Sequence, residues 1–220
     1  TTILYPKMTK LFSENEKDKL TLFIEKYISI VSILVFPLSM LIYFYSEEIV
    51  QILFGRGAFD TATVKFVGAA YSIGIIGASF RDVLNKIFYS MKNTVIPMTN
   101  GCLAVGCNII LNLILVKKYA YLGLAAATAI SSIVCTILLL KELSKKKLIK
   151  NFSICILATA IMYISLKFIT SIFVIDSVLI RTVVFGMVAC IVYLLILMIL
   201  REEEICNLQK GIREKLILRS

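Results

Sequence analysis

Six stretches of this chain are 19 to 28 residues long and mostly apolar, and few folds accept that pattern. They cover Tyr27–Tyr45, Thr63–Ser90, Thr94–Val116, Ala120–Leu140, Phe152–Val174 and Val178–Leu200. Runs of this length are too long for the core helices of a small soluble domain. At about 1.5 Å per residue each can cross the roughly 30 Å hydrocarbon layer of a bilayer. The chain is 59% hydrophobic, with a mean hydropathy of +0.91, whereas soluble domains are about 45–50% apolar. No alternating runs bounded by hairpin signals occur, so a membrane β-barrel does not fit. The predicted fold is all-α, a polytopic membrane bundle of about six helices, with Pro37 inside the first, where neighbouring helices tolerate it.

Six crossings put both ends on one side, and the basic residues choose which. Lys7, Lys10, Lys17, Lys19, Lys26, Lys92, Lys141, Lys145, Lys146, Lys147, Lys150, Arg201, Lys210, Arg213, Lys215 and Arg219 share one side, while Arg56, Lys65, Lys117, Lys118 and Arg181 share the other. Positive charge collects on the cytoplasmic side, so both termini are expected there. The stretch "ILFGRGAFD" (Ile52–Asp60) then faces outward as a turn, with Gly55 and Gly57 supplying backbone freedom around Arg56. A static turn and a moving hinge both fit it. The net charge of +10 reads as topology signals and contacts to anionic lipid headgroups, not as a nucleic-acid surface.

The expected organisation follows. Residues 1–26 are the end of a preceding helix plus a cytoplasmic loop, 27–140 a four-helix part, and 141–150 a basic cytoplasmic loop. Residues 151–200 are two C-terminal helices, and 201–220 a charged cytoplasmic tail. In the tail, Ile205, Leu208, Ile212 and Leu216 suit a helix lying on the leaflet, and a solvated tail is the other reading. The chain opens on Thr1, and "TTILYPKMTKLF" reads as the end of an earlier element, which suggests the C-terminal piece of a longer protein. Five of the six cysteines lie inside apolar runs and none forms a CxxC pair, so they read as small apolar side chains.

Polar residues at lipid depth carry the functional reading. In the second run the clean apolar part, Phe66–Phe80, spans only about 22 Å. Arg81 and Asp82 are therefore drawn to the edge of the hydrocarbon. Asp82 is expected to pair with Lys86 one turn on, the charges facing either a wet cavity or the cytoplasmic headgroups. In the third run Asn108 and Asn112 share a helix face at i, i+4. The fourth opens "GLAAATAISS", whose small residues let helices approach closely. The asparagine amides, the Thr128 hydroxyl and a carbonyl such as that of Leu124 suit either interhelical hydrogen bonding or a monovalent cation. No nucleophile with its base, paired-carboxylate site or Gly-rich phosphate loop stands out, so no enzyme is expected.

"LFGRGAF" (Leu53–Phe59), "VLNKIFYSMKNTVIP" (Val83–Pro97), "NIILN" (Asn108–Asn112) and "GLAAATAIS" (Gly123–Ser131) occur in this order. Together they resemble the MurJ/MviN family of lipid II flippases, of the multidrug/oligosaccharidyl-lipid/polysaccharide exporter superfamily. Members carry "LFxRGxF", "VLxxxFYAxxDTxTP", "NxxLN" and a "GLALATS"-like helix. The resemblance implies the C-terminal part of a two-lobe transporter, without the first-half helices whose arginines line the family's cavity. It implies lipid II and membrane lipids as partners, a bacterial plasma-membrane location and alternating access. It also implies a groove for the polyprenyl tail on the last two helices. Arg81, Asp82, Lys86 and Lys92 become the cavity candidates. Asn108, Asn112, Thr128 and Leu124 become candidates for a sodium site completed by an acid from the absent half; no other cofactor is implied. Asn93 departs from the family's aspartate, Met91 displaces a basic residue to Lys92, and Asn112 stands where some relatives carry an acid. An exporter of another lipid-linked oligosaccharide or of a drug is the sibling alternative. A membrane lipid-phosphate transferase or a non-transporting scaffold is the alternative from another class.

Overall fold

The computed structural model describes residues 4–49, 61–143, 146–173 and 177–200. Its helices are α1 (Leu4–Ser13), α2 (Lys17–Phe44), α3 (Thr61–Ser90), α4 (Val95–Tyr119), α5 (Tyr121–Lys141), α6 (Lys146–Ile172) and α7 (Val178–Leu200). Among the described residues six helices are long and apolar enough to cross a membrane. The chain is an all-helical, multi-pass membrane protein. The Gly55–Arg56–Gly57 turn and the 201–220 tail lie outside the described residues.

Two boundaries differ from the sequence reading. α2 starts at Lys17, ten residues before the first apolar run, because hydropathy marks the lipid crossing and not the helix. Its polar first turns are held by Lys19 donating to Glu16 at 2.7 Å and by burial of Leu20 and Ile24. α6 begins at Lys146, inside the stretch expected to be a basic loop. Between α1 and α2 the chain turns at Asn15, whose φ of 59° is left-handed. There the Glu16 and Asn15 amides donate to the Leu11 and Phe12 carbonyls at 3.1 Å each, satisfying the helix end.

The chain divides into two compact units, Thr1–Ile149 and Lys150–Ser220. In the first, α3 lies between α2 and α5, α5 also packs on α4, and α1 touches α2 and α3. α3 turns Ser72 and Phe80 toward α2, where the Ser39 hydroxyl donates to the Ser72 carbonyl and the Phe36 and Phe80 rings sit 6.2 Å apart. It turns Gly74 and Gly77 toward α5. A Cβ on Gly77 would lie 2.9 Å from the backbone nitrogen of Ile133 and 3.0 Å from the carbonyl carbon of Ser132. The missing side chain lets two backbones nearly touch, and the Thr136 hydroxyl closes the contact by donating to the Gly77 carbonyl at 2.7 Å.

α4 and α5 are joined by the single residue Ala120, at φ 48° and ψ −128°, a conformation that favours glycine. Just beyond it Gly123 abuts α4, since a Cβ there would meet the Leu115 carbonyl at 2.5 Å. α4 is otherwise bare. Among its described residues only Pro97 and Ala104 are buried, and Leu103, Val105, Ile109, Ile110, Leu113 and Ile114 are exposed. Lipid is the solvent such a surface needs, because apolar side chains gain little by leaving hydrocarbon for one another.

In the second unit each helix buries one stripe. On α6 it is Cys155, Ala158, Met162 and Leu166; on α7 it is Phe185, Ala189, Tyr193 and Leu197. Spacings of three and four residues select one helix face, and large apolar residues elsewhere on both helices are exposed.

Candidate functional site

Two polar groupings interrupt the apolar helices of the first unit. The first is on α3, whose stretch long and apolar enough to cross a membrane among the described residues, Phe66–Ser90, contains Arg81 and Asp82. Arg81 donates through both Nε and Nη2 to Asp82 Oδ1 at 3.1 Å. Asp82 therefore takes its neighbour in sequence as partner, where Lys86 was expected. A guanidinium offers two donors in one plane and can fold sideways along the helix, which an ammonium on a flexible stem does not match. Both groups stay open, with side-chain exposures of 38% and 59%. Asn85 lies one turn beyond Arg81, and its buried Oδ1 meets no donor among the described residues.

The other two cavity candidates are not drawn into this ion pair. Lys86 is exposed on α3. Lys92 sits eleven residues past Arg81, about 16 Å along a helix axis, in the turn between α3 and α4. Its φ of 56° is left-handed. The Asn93 and Lys92 amides donate to the Phe88 and Tyr89 carbonyls at 3.0 Å each. Lys92 thus occupies the position that glycine usually takes after a helix. Asn93 Oδ1 accepts from the Ile96 amide at 3.3 Å, so the amide that replaces the family's aspartate caps α4 as an aspartate would.

The second grouping links α4 to α5. Asn112 Nδ2 donates to Asn108 Oδ1 at 3.0 Å, and Asn108 Nδ2 donates to Ser131 Oγ at 3.1 Å. The Ser131 hydroxyl donates to the Thr128 carbonyl at 3.0 Å. The i, i+4 spacing of the asparagines brings them together on the face toward α5, as the pattern indicated. Ser131 was missed as their partner, and its signal was its place in the "AISS" run within the small-residue stretch. Thr128 is exposed and its hydroxyl donates to the Leu124 carbonyl at 2.9 Å. Asn112 Oδ1 is buried with no donor among the described residues. The orphaned oxygen is a hard ligand of the kind a monovalent cation takes, whereas the Thr128 hydroxyl lies on the exposed side of α5 and is already bonded to the Leu124 carbonyl.

The sequence profile of the family described as "Lipid II flippase MurJ" matches residues 1–202. The chain belongs to the MurJ family. It is 28% identical over 145 residues to the probable lipid II flippase MurJ of Vibrio cholerae, covering 64% of this chain and 28% of that protein. It is 29% identical over 126 residues to the probable lipid II flippase MurJ of Synechocystis, covering 56% and 24%. A solved structure of lipid II flippase MurJ in an inward closed conformation superposes with a TM-score of 0.75 at 21% identity, covering 93% of this chain and 43% of that one. The chain thus spans less than half the length of the MurJ proteins it matches. That likeness shows the MurJ fold, and the four motifs read from the sequence all fall within the matched range.

Proposed function

We propose that this chain is part of a MurJ transporter that moves lipid II from the inner to the outer leaflet of a bacterial plasma membrane, for cell-wall synthesis. The observation that carries the proposal is the family match across residues 1–202. It favours a lipid II flippase over sibling exporters of drugs or other lipid-linked sugars. The chain supplies most of the second of two lobes that alternate access across the membrane, with no catalytic step. Arg81, Asp82, Lys86 and Lys92 contribute to the cavity, and α6 and α7 offer apolar surface to the polyprenyl tail. The test is growth: the complete gene should restore division to bacteria depleted of their own lipid II flippase. A protein that inserts in the membrane at normal levels and leaves those cells to lyse would end the proposal.

The same reading puts both ends of this chain in the cytoplasm, supported by the distribution of basic residues. In a background cleared of the six native cysteines, a membrane-impermeant thiol reagent added outside should label a cysteine at Arg56. It should leave one at Lys146 unlabelled until the membrane is opened. The reverse pattern would invert the topology.

It also makes Asn108, Asn112, Thr128 and the Leu124 carbonyl part of a sodium site, completed by an acid from beyond this chain. The unpartnered Asn112 oxygen supports the site, while the Asn108–Ser131 hydrogen bond supports simple helix pairing. Sodium should raise the melting temperature of the complete transporter relative to potassium. A ligand that binds only the folded state adds about 2.7 kcal/mol at a hundred times its dissociation constant. The double substitution Asn108→Ala with Thr128→Ala should remove the increase. An unchanged sodium response in the double variant would leave the asparagines as helix-pairing groups alone.

A further inference from the structure

The ion pair on α3 joins residues that do not naturally face each other. Side chains at i and i+1 point in different directions around a helix, whereas those at i and i+4 are neighbours. Arg81 reaches Asp82 only by laying its guanidinium sideways, and it places both Nε and Nη2 on the single oxygen Oδ1 at 3.1 Å. The i+4 neighbour of Arg81 is Asn85. Its Oδ1 is buried and meets no donor among the described residues, flanked along the helix by the buried apolar residues Leu84, Ile87 and Phe88. An amide carbonyl left without a donor in such surroundings is costly. A guanidinium held permanently by Asp82 gives it no partner, but one that can move does.

We propose that Arg81 has two stations, with Asp82 standing in for an anionic ligand in this state and Asn85 receiving the guanidinium when a lipid-borne phosphate ester displaces the carboxylate. This rests on the flippase reading, in which the cargo is an anionic lipid. The exchange is one of hydrogen bonds and charge, with no covalent step. The arriving phosphate oxygens take the guanidinium edge that Asp82 held, a bidentate match that arginine makes better than lysine. Asn85 Oδ1 accepts an N–H from Nη1, on the other edge, and fixes the plane of the fork. Asp82, 59% exposed, is released to water or headgroups. The exposed Lys86 adds a point charge beside the ligand. Asp82 thus sets how tightly the anion is held, because every binding event must first displace it.

The test is direct binding of farnesyl diphosphate to the complete transporter in detergent, with inorganic pyrophosphate titrated in parallel. If Asp82 competes with the ligand, Asp82→Asn and Asp82→Ser should each tighten the dissociation constant about fivefold. Arg81→Gln should weaken it about tenfold and cancel the gain when combined with Asp82→Asn. Asn85→Leu should cancel most of that gain as well, which a merely structural asparagine would not do. The same ranking with inorganic pyrophosphate would show that the anion alone is read; a ranking confined to farnesyl diphosphate would show that the lipid is needed too. Asp82 variants that bind with the parent's affinity, or more weakly, overturn the exchange. So does a parent that fails to bind while still supporting growth in flippase-depleted cells, an outcome that leaves the transport reading standing. Failure of growth support strikes the transport reading itself.

Discussion

Replacing Arg81 by leucine in the complete transporter is expected to cut growth support in flippase-depleted cells at least about tenfold, while the protein still inserts. The argument is one of position. Asp82 and Lys86 fall outside the faces that α3 gives to α2 and α5, and Arg81 keeps 38% of its side chain exposed. The pair bonds within α3 and makes no hydrogen bond to another helix among the described residues. Leucine is cheaper than arginine within a membrane span, so insertion should not suffer. What disappears is the one delocalised cation on that face of α3. At the neighbouring site, Asp82→Lys should be more damaging than Asp82→Asn, because only the lysine sets like charges beside Arg81 and Lys86. Colony counts and membrane protein levels measured together decide the matter. Full growth with Arg81→Leu would return the pair to the membrane interface as snorkelling charges.

Gly77→Leu should destabilise the transporter by about 3 kcal/mol, near the top of the usual range for overpacking. The atoms a new Cβ would meet are backbone: Ile133 nitrogen at 2.9 Å and Ser132 carbonyl carbon at 3.0 Å. Backbone cannot swing aside as a flexible side chain can, so α3 and α5 must separate. Separation also breaks the 2.7 Å hydrogen bond from Thr136 to the Gly77 carbonyl. Gly106→Leu on α4 is the matched control, because nothing lies within 4 Å of its would-be Cβ. Leucine there should be neutral or mildly stabilising, since it is the better helix former. Thermal unfolding of the purified protein gives both values. A melting temperature unchanged by Gly77→Leu would contradict the close approach.

The spans were legible because crossing a bilayer imposes a length and a composition that no other demand in this chain imitates. What remained hidden was decided between elements or at their ends. Hydropathy cannot see that Lys17–Lys26 is helical, because those turns are fixed by the Glu16–Lys19 pair and by Leu20 and Ile24 beneath them. The spacing of Asn108 and Asn112 fixes a shared face, but which residue meets it depends on the register of α5, and that register selects Ser131. The partner of Asp82 turned on side-chain shape rather than spacing, since i, i+4 favoured Lys86 and the arginine fork favoured its own neighbour. The backbone of Lys92 also ends α3 in a left-handed turn, which nothing in its side-chain chemistry announces.

The one-residue joint at Ala120 has a consequence for motion. With α4 and α5 linked so tightly, Gly123 set against the Leu115 carbonyl and Asn108 bonded to Ser131 in mid-membrane, the two helices have no slack to slide past each other. They can travel only as a hairpin, so a transporter that rocks between inward and outward states must put its sliding surfaces elsewhere. The hairpin then acts as a stiff lever: a tilt imposed at the Lys141 end of α5 is carried to the Tyr119 end of α4.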